Sequence, residues 1–125
     1  MVTGGTVSAA TPVSFGETVT GTLSTPGHID SYSFVAGAGD RAFLRIFKWS
    51  GSSSIQVRVF APDGTELILR SGGPEFTLDI VLPVTGTYTI QVADSYVIHT
   101  GTYQLFIQRT YNPSDATEFS YGEYQ

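Results

Sequence analysis

The sequence predicts an all-β fold, a two-sheet antiparallel β-sandwich of jelly-roll type with about eight strands. Helical periodicity is absent, apolar and polar residues alternate with a period of two in short runs, and clusters of Gly, Pro, Asp and Ser interrupt those runs every ~10 to 12 residues. Length sets the scale: 125 residues support one domain with a real core and not two. The runs fall at Glu17 to Leu23, Asp30 to Ala36, Arg41 to Lys48, Ile55 to Phe60, Glu66 to Arg70, Phe76 to Leu82, Thr87 to Ala93 and Thr102 to Gln108. Between them lie Thr25-Pro26-Gly27, Gly37-Ala38-Gly39-Asp40, Ser50-Gly51-Ser52, Ala61-Pro62-Asp63-Gly64, Ser71-Gly72-Gly73-Pro74 and Pro83-Val84-Thr85-Gly86, each with a residue of fixed φ or one that tolerates positive φ, as turns require. Short antiparallel strands at this spacing make a sandwich.

Successive side chains of a strand point to opposite faces, so the alternation also sorts inside from outside. The predicted core is Tyr32, Phe34, Leu44, Ile46, Ile55, Val57, Val59, Phe76, Leu78, Ile80, Leu82, Tyr88, Ile90, Val92, Tyr103, Leu105 and Ile107. The intervening residues of the third and fourth strands then face out: Phe43, Arg45 and Phe47 with Gln56, Arg58 and Phe60. A plain solvated face would not carry Phe43, Phe47 and Phe60 beside Arg45 and Arg58. Aromatic faces stack on sugar rings or peptide backbone and Arg bridges hydroxyls, so this set is a candidate ligand or subunit contact. The competing reading is burial under a terminal arm or a neighbouring subunit.

Composition narrows the chemistry. With no Cys there is no disulfide scaffold, Cys-based zinc site, iron–sulfur cluster or thiol nucleophile. Six basic residues, scattered singly, against eleven acidic ones give a net charge of -5, which argues against nucleic acid as a partner. A hydroxyl-rich, charge-poor surface with Lys48 the one lysine and Asn112 the one asparagine suits a secreted or cell-surface β protein better than a cytosolic enzyme. No apolar run reaches the ~18 residues of a membrane span, so no membrane insertion is expected, and the start Met1-Val2-Thr3-Gly4-Gly5 is no signal peptide. If the protein is secreted, its signal has already been removed.

Catalytic candidates are sparse. The histidines are His28 and His99, both in expected loops; Asp30 could orient the first and Asp94 the second, with a serine as third member of a triad. No G-x-S-x-G elbow, H-E-x-x-H motif or phosphate-cradling Gly-rich loop accompanies them, and loop histidines are ordinarily just solvated. Asp79 with Glu66 or Glu75 could form a carboxylate pair, but isolated acids on a sandwich usually solvate its outer face. The expectation is therefore no enzyme, no catalytic residue, no metal and no cofactor.

An internal repeat lies outside the long runs. Residues 8 to 19, SAATPVSFGETV, align without gaps to residues 114 to 125, SDATEFSYGEYQ, with identities at Ser8/Ser114, Ala10/Ala116, Thr11/Thr117, Ser14/Ser120, Gly16/Gly122 and Glu17/Glu123. Phe15 and Tyr121 add a conservative aromatic pair. Chance in a Ser/Thr/Gly-rich chain is the bland reading; the sharper one is that a second copy of the domain begins after Asn112-Pro113. The expected organisation is an N-terminal arm over 1–16, a sandwich over 17–110, and a tail over 111–125 that resembles the start of a following repeat. Head-to-tail association would then bury Phe119 and Tyr121 where Val13 and Phe15 otherwise sit.

Several segments together resemble the bacterial pre-peptidase C-terminal (PPC) domain family, related to the collagen-binding modules of clostridial collagenases. Gly16-Glu17-Thr18-Val19-Thr20-Gly21 is similar to its opening strand, Asp30-Ser31-Tyr32-Ser33-Phe34 to its D-x-Y-x-F strand, and Ala38-Gly39-Asp40 to the turn after it. Ile55 to Gly64, with Ala61-Pro62-Asp63-Gly64 at its end, is similar to the strand that runs into a P-D-G turn. Leu82-Pro83-Val84-Thr85-Gly86-Thr87-Tyr88-Thr89-Ile90-Gln91-Val92 and Gly101-Thr102-Tyr103-Gln104-Leu105 are similar to the closing strands, so the likeness spans residues 11 to 108. The resemblance implies a β-sandwich that accompanies secreted enzymes or occurs in tandem in surface proteins. In some members it also implies calcium held by acidic residues before the first strand and by Asp residues ahead of the Tyr strand. This chain departs from that pattern: residues 1 to 16 hold no carboxylate, and Gly27 stands where the first Asp of the pair would be, leaving Asp30 alone.

Two functions remain in view. One is a non-catalytic extracellular structural or adhesive module that associates head to tail with copies of itself, as a link in a tandem array or a fibre subunit. The other is a carbohydrate- or protein-binding accessory module of a secreted hydrolase, with an extracellular polysaccharide or protein polymer as partner.

Overall fold

The structure, a computed structural model, describes residues 10–51, 54–96 and 100–111. Nine strands are present among them: β1 (Thr11–Pro12), β2 (Thr18–Leu23), β3 (Ile29–Ala36), β4 (Arg41–Gly51), β5 (Ile55–Phe60), β6 (Glu66–Ser71), β7 (Glu75–Val81), β8 (Gly86–Asp94) and β9 (Gly101–Tyr111). They form a five-stranded sheet in the order β1-β3-β8-β5-β6 and a four-stranded sheet in the order β2-β9-β4-β7. Four antiparallel pairs are nested, β2 with β9, β3 with β8, β4 with β7 and β5 with β6. Folding such a nested stack over on itself sends each successive pair to the opposite sheet, which is the jelly-roll arrangement.

The interior follows from the alternation. Every side chain assigned to the core from sequence is buried except Phe76, which is half-buried against it. Val13, Leu23, Ala36, Ala42 and Ala61 join it. Tyr103 fits between the sheets because β2 carries Gly21 directly across from it; a Cβ at Gly21 would overlap the Tyr103 phenol.

β1 is the strand that periodicity does not reveal, since two exposed residues have no period. Its parallel pairing sets Thr11 opposite Tyr32 and Pro12 opposite Ser33, and Val13 N–H continues the ladder to Ser33 C=O at 2.8 Å. The chain then crosses to the other sheet, where Gly16 N–H donates to Ile107 C=O at 2.6 Å. In between, Phe15 meets Phe34 edge-on at 5.6 Å between ring centroids, and the Arg109 guanidinium lies 5.3 Å from the centre of the Phe15 ring. The N-terminal arm expected over 1–16 is, from Thr11 onward, a strap along one edge of the sandwich, with Val13 and Phe15 seated on it. Burying Val13 and Phe15 covers apolar surface that a seventeen-onward sandwich would leave open.

Candidate functional site

The aromatic and Arg residues singled out from the sequence do not form one row. β4 belongs to the four-stranded sheet and β5 to the five-stranded one, so their outward faces lie on opposite sides of the molecule. Phe43, Arg45 and Phe47 are on one face; Arg58 and Phe60 are on the other. Alternation tells inside from outside, and says nothing of which sheet a strand joins.

The β4 face gains its neighbours from other strands instead. Register sets Phe106 of β9 opposite Arg45, Gln104 opposite Phe47, and Thr18 of β2 opposite Phe106. Thr18, Arg45, Phe47, Gln104 and Phe106 line a shallow groove of ≈ 370 Å³. Phe43, half-buried, extends the apolar strip one step along β4. At the other end the β4–β9 register slips between Lys48 and Ser50, and Trp49, in that irregularity, is 60% exposed. Across β4, Arg45 is ion-paired with Glu75, and Arg41 with Asp79 at 3.0 Å, which tethers both guanidinium groups along the strip. Such a strip offers ring faces for stacking and Gln, Arg and Thr groups for hydrogen bonds along one line. Sequence reasoning missed Phe106, Gln104 and Trp49. The first two were available from the same alternation that buries Tyr103, Leu105 and Ile107; Trp49 lay beyond the expected end of its strand at Lys48.

On the opposite face Arg58 is paired with Glu66 at 3.2 Å and Phe60 is half-buried. The proposed carboxylate partners are accordingly dispersed: Glu66 is in the five-stranded sheet, whereas Glu75 and Asp79 are in β7 of the other, each on its own arginine. Val13 is 7% exposed and Phe15 is packed on the core of its own sandwich. Phe119, Tyr121 and His99 lie outside the described residues.

At the start of β3 a chain of polar groups runs inward. His28 Nε2 is 2.6 Å from Asp30 Oδ1, the Tyr103 hydroxyl donates to Asp30 Oδ2 at 2.6 Å, and the Tyr32 and Tyr103 hydroxyls are 2.7 Å apart. Burial above all, and then the hydrogen bond to Asp30, pushes the Tyr103 pKa above the ordinary tyrosine value; burial does the same to Tyr32. Asp30 does orient His28, as a triad would require, but among the described residues no hydroxyl hydrogen-bonds to that imidazole. The same carboxylate, spent on His28 and Tyr103, does not fit the calcium role the family resemblance implies, and among the described residues no three His, Asp or Glu cluster as metal ligands.

No family model matches the chain, and no curated protein matches it. Solved structures do. The pre-peptidase C-terminal domain of a collagenase from Bacillus anthracis superposes with a TM-score of 0.69 at 16% identity, covering 80% of this chain and 95% of that one. The periplasmic inhibitor of g-type lysozyme from Aeromonas hydrophila superposes with a TM-score of 0.60 at 24% identity, over 82% of this chain and 97% of the other. Its counterpart from Salmonella Typhimurium gives 0.57 at 18% identity, over 82% and 100%. At these identities the likeness is one of fold. The chain is a two-sheet β-sandwich with the fold of the pre-peptidase C-terminal domain, as the order of its sequence motifs implied.

Proposed function

We propose that this domain is a non-catalytic extracellular module that holds an extended polymer, polysaccharide or protein, on the outer face of its four-stranded sheet. One observation carries the reading: Phe47 and Phe106 line a groove with Arg45, Gln104 and Thr18, Phe43 stands next along the outward face of β4, and the exposed Trp49 lies two residues beyond Phe47. Fold neighbours that include a domain of a collagenase and periplasmic inhibitors support a secreted location. Trp49 is the chain's one tryptophan and lies two residues beyond Phe47 on β4, so its fluorescence reports on that end of the strand. Titration with soluble polysaccharides and with denatured and fibrous collagen is expected to give a saturable change in that fluorescence for at least one polymer, lost in Phe106→Ala. No saturable change with any of them would remove the strip from consideration.

A second reading, a link in a tandem array, is favoured by how the arm docks. Val13 and Phe15 seat on their own sandwich, and residues 114 to 125 repeat the sequence that does so. In an array that copy would dock on the following domain of the same chain, with Phe119 and Tyr121 in the places of Val13 and Phe15. Non-covalent insertion into another molecule faces a slot already filled by that molecule's own strap, which favours the covalent form.

A further inference from the structure

The face opposite the aromatic strip holds a cleft of different chemistry. It measures ≈ 360 Å³, at the small end of ligand sites (~300–1,000 Å³), and is lined by Gly27, His28, Ile29, Gln56, Arg58, Gln91, Ala93, Asp94 and Ser95. Register explains the convergence. Gln56 and Arg58 are two apart on β5 and so share a face, and β8 sets Gln91 directly opposite Arg58 and Ala93 opposite Gln56. Ile29 of β3 lies opposite Ala93 and adds an apolar patch beside the polar groups.

We infer that this cleft binds a neutral saccharide unit. Among the described residues the Gln56 and Gln91 amides have no hydrogen-bond partner, though both are half-buried; each presents a donor and an acceptor, the pairing that a sugar hydroxyl offers in return. Arg58 commits one nitrogen to Glu66 and keeps the rest of its fork of donors. His28, in contact with Asp30 through Nε2, adds a second ring nitrogen, Nδ1, to the polar groups of the lining. Donors, acceptors and a small apolar floor are therefore all present within one cleft. Charge selects against an anionic ligand: Arg58 is offset by Glu66, Asp94 is part of the lining, and the Asp30 carboxylate lies behind His28. A uronic acid or acidic peptide would bring its carboxylate up to Asp94 in the lining.

The test is a ¹⁵N NMR titration of the full chain, following the Gln56 and Gln91 side-chain amides together with the Trp49 indole. The probes are glucose, galactose, mannose and N-acetylglucosamine, with glucuronate as the anionic control and glycerol as a general polyol. At least one neutral sugar is expected to shift both glutamine amides saturably while the Trp49 signal stays put, and Gln91→Ala, which removes an unpaired side chain, is expected to weaken that sugar about tenfold at unchanged Tm. Four results would overturn the assignment: no saturable shift from any neutral sugar, equal shifts with glycerol, stronger binding of glucuronate, or full affinity in Gln91→Ala. Because Trp49 reads the other face, failure here is distinguishable from failure of the polymer strip.

Discussion

Tyr103 and Asp30, 73 residues apart in sequence, are joined across the two sheets by a 2.6 Å hydrogen bond from the phenol to the carboxylate. Tyr103 belongs to β9 in the four-stranded sheet and Asp30 to β3 in the five-stranded one, so the bond pins one sheet to the other at the end where His28 meets solvent. The pinning requires a protonated phenol. Both Tyr103 and Tyr32 have folded-state pKa values above that of the unfolded chain, so the native state holds these protons after the unfolded state has released them. The contribution is whole below the ordinary tyrosine pKa of ~10 and declines as pH rises past it. Urea unfolding at neutral and alkaline pH should show stability falling above about pH 10, with a shallower fall in Tyr103→Phe. At neutral pH the same variant should be less stable by about 1–2 kcal/mol, because Asp30 Oδ2 loses its hydroxyl donor in a half-buried site. An equally steep alkaline fall in the variant would place its origin elsewhere.

Gly21 tests the packing around the same phenol. A methyl group there collides with Tyr103, so Gly21→Ala should cost about 1–3 kcal/mol, the usual range for overpacking. Combining it with Tyr103→Leu, which withdraws the ring, should recover part of that loss in a double-mutant cycle. Strict additivity would show that the two positions do not interact.

Phe47 and Arg45 report on the polymer strip. Replacing both with Ala should weaken polymer binding while Tm changes little, since both side chains are exposed. Arg58→Ala with Phe60→Ala, on the other face, should leave polymer binding alone. Equal losses from the two pairs would mean that binding does not discriminate between the faces.

The strap over the sandwich edge should matter to stability. Phe15→Ala removes the edge-on contact to Phe34 and the cation–π contact from Arg109, and should cost about 1–3 kcal/mol for a partly buried aromatic. Thermal unfolding of the variant measures this directly; an unchanged Tm would show that the strap does not bear on stability.

Removal of residues 112–125 separates the array reading from free association. The described strands end at Tyr111, so the shortened chain should fold as the full one does. Sedimentation velocity should show the full chain monomeric as well, because the slot its tail would enter is filled by Val13 and Phe15. Concentration-dependent assembly of the full chain, abolished by the deletion, would restore non-covalent head-to-tail association.

What the sequence by itself determined is the side of each strand that faces inward. Leu44 and Ile46 against Phe43 and Arg45, or Leu105 and Ile107 against Phe106, are sorted by a rule with a period of two residues, which needs no knowledge of neighbours. Hence the core and the strand limits were legible to within a few residues, and with them the all-β class. Three things were left to tertiary structure. Arg58 and Phe60 parted from Phe43, Arg45 and Phe47 because sheet membership is set by pairing between distant segments, β4 with β9 and β5 with β8. Thr11–Pro12 became a strand because Ser33 and Tyr32 were there to receive it, with no pattern of its own to announce it. Asp30, a lone carboxylate in sequence, became part of a buried chain of hydroxyls only when Tyr103 was brought across to it. In each case the deciding free energy is a contact between residues far apart along the chain, and local alternation carries no record of where the chain returns.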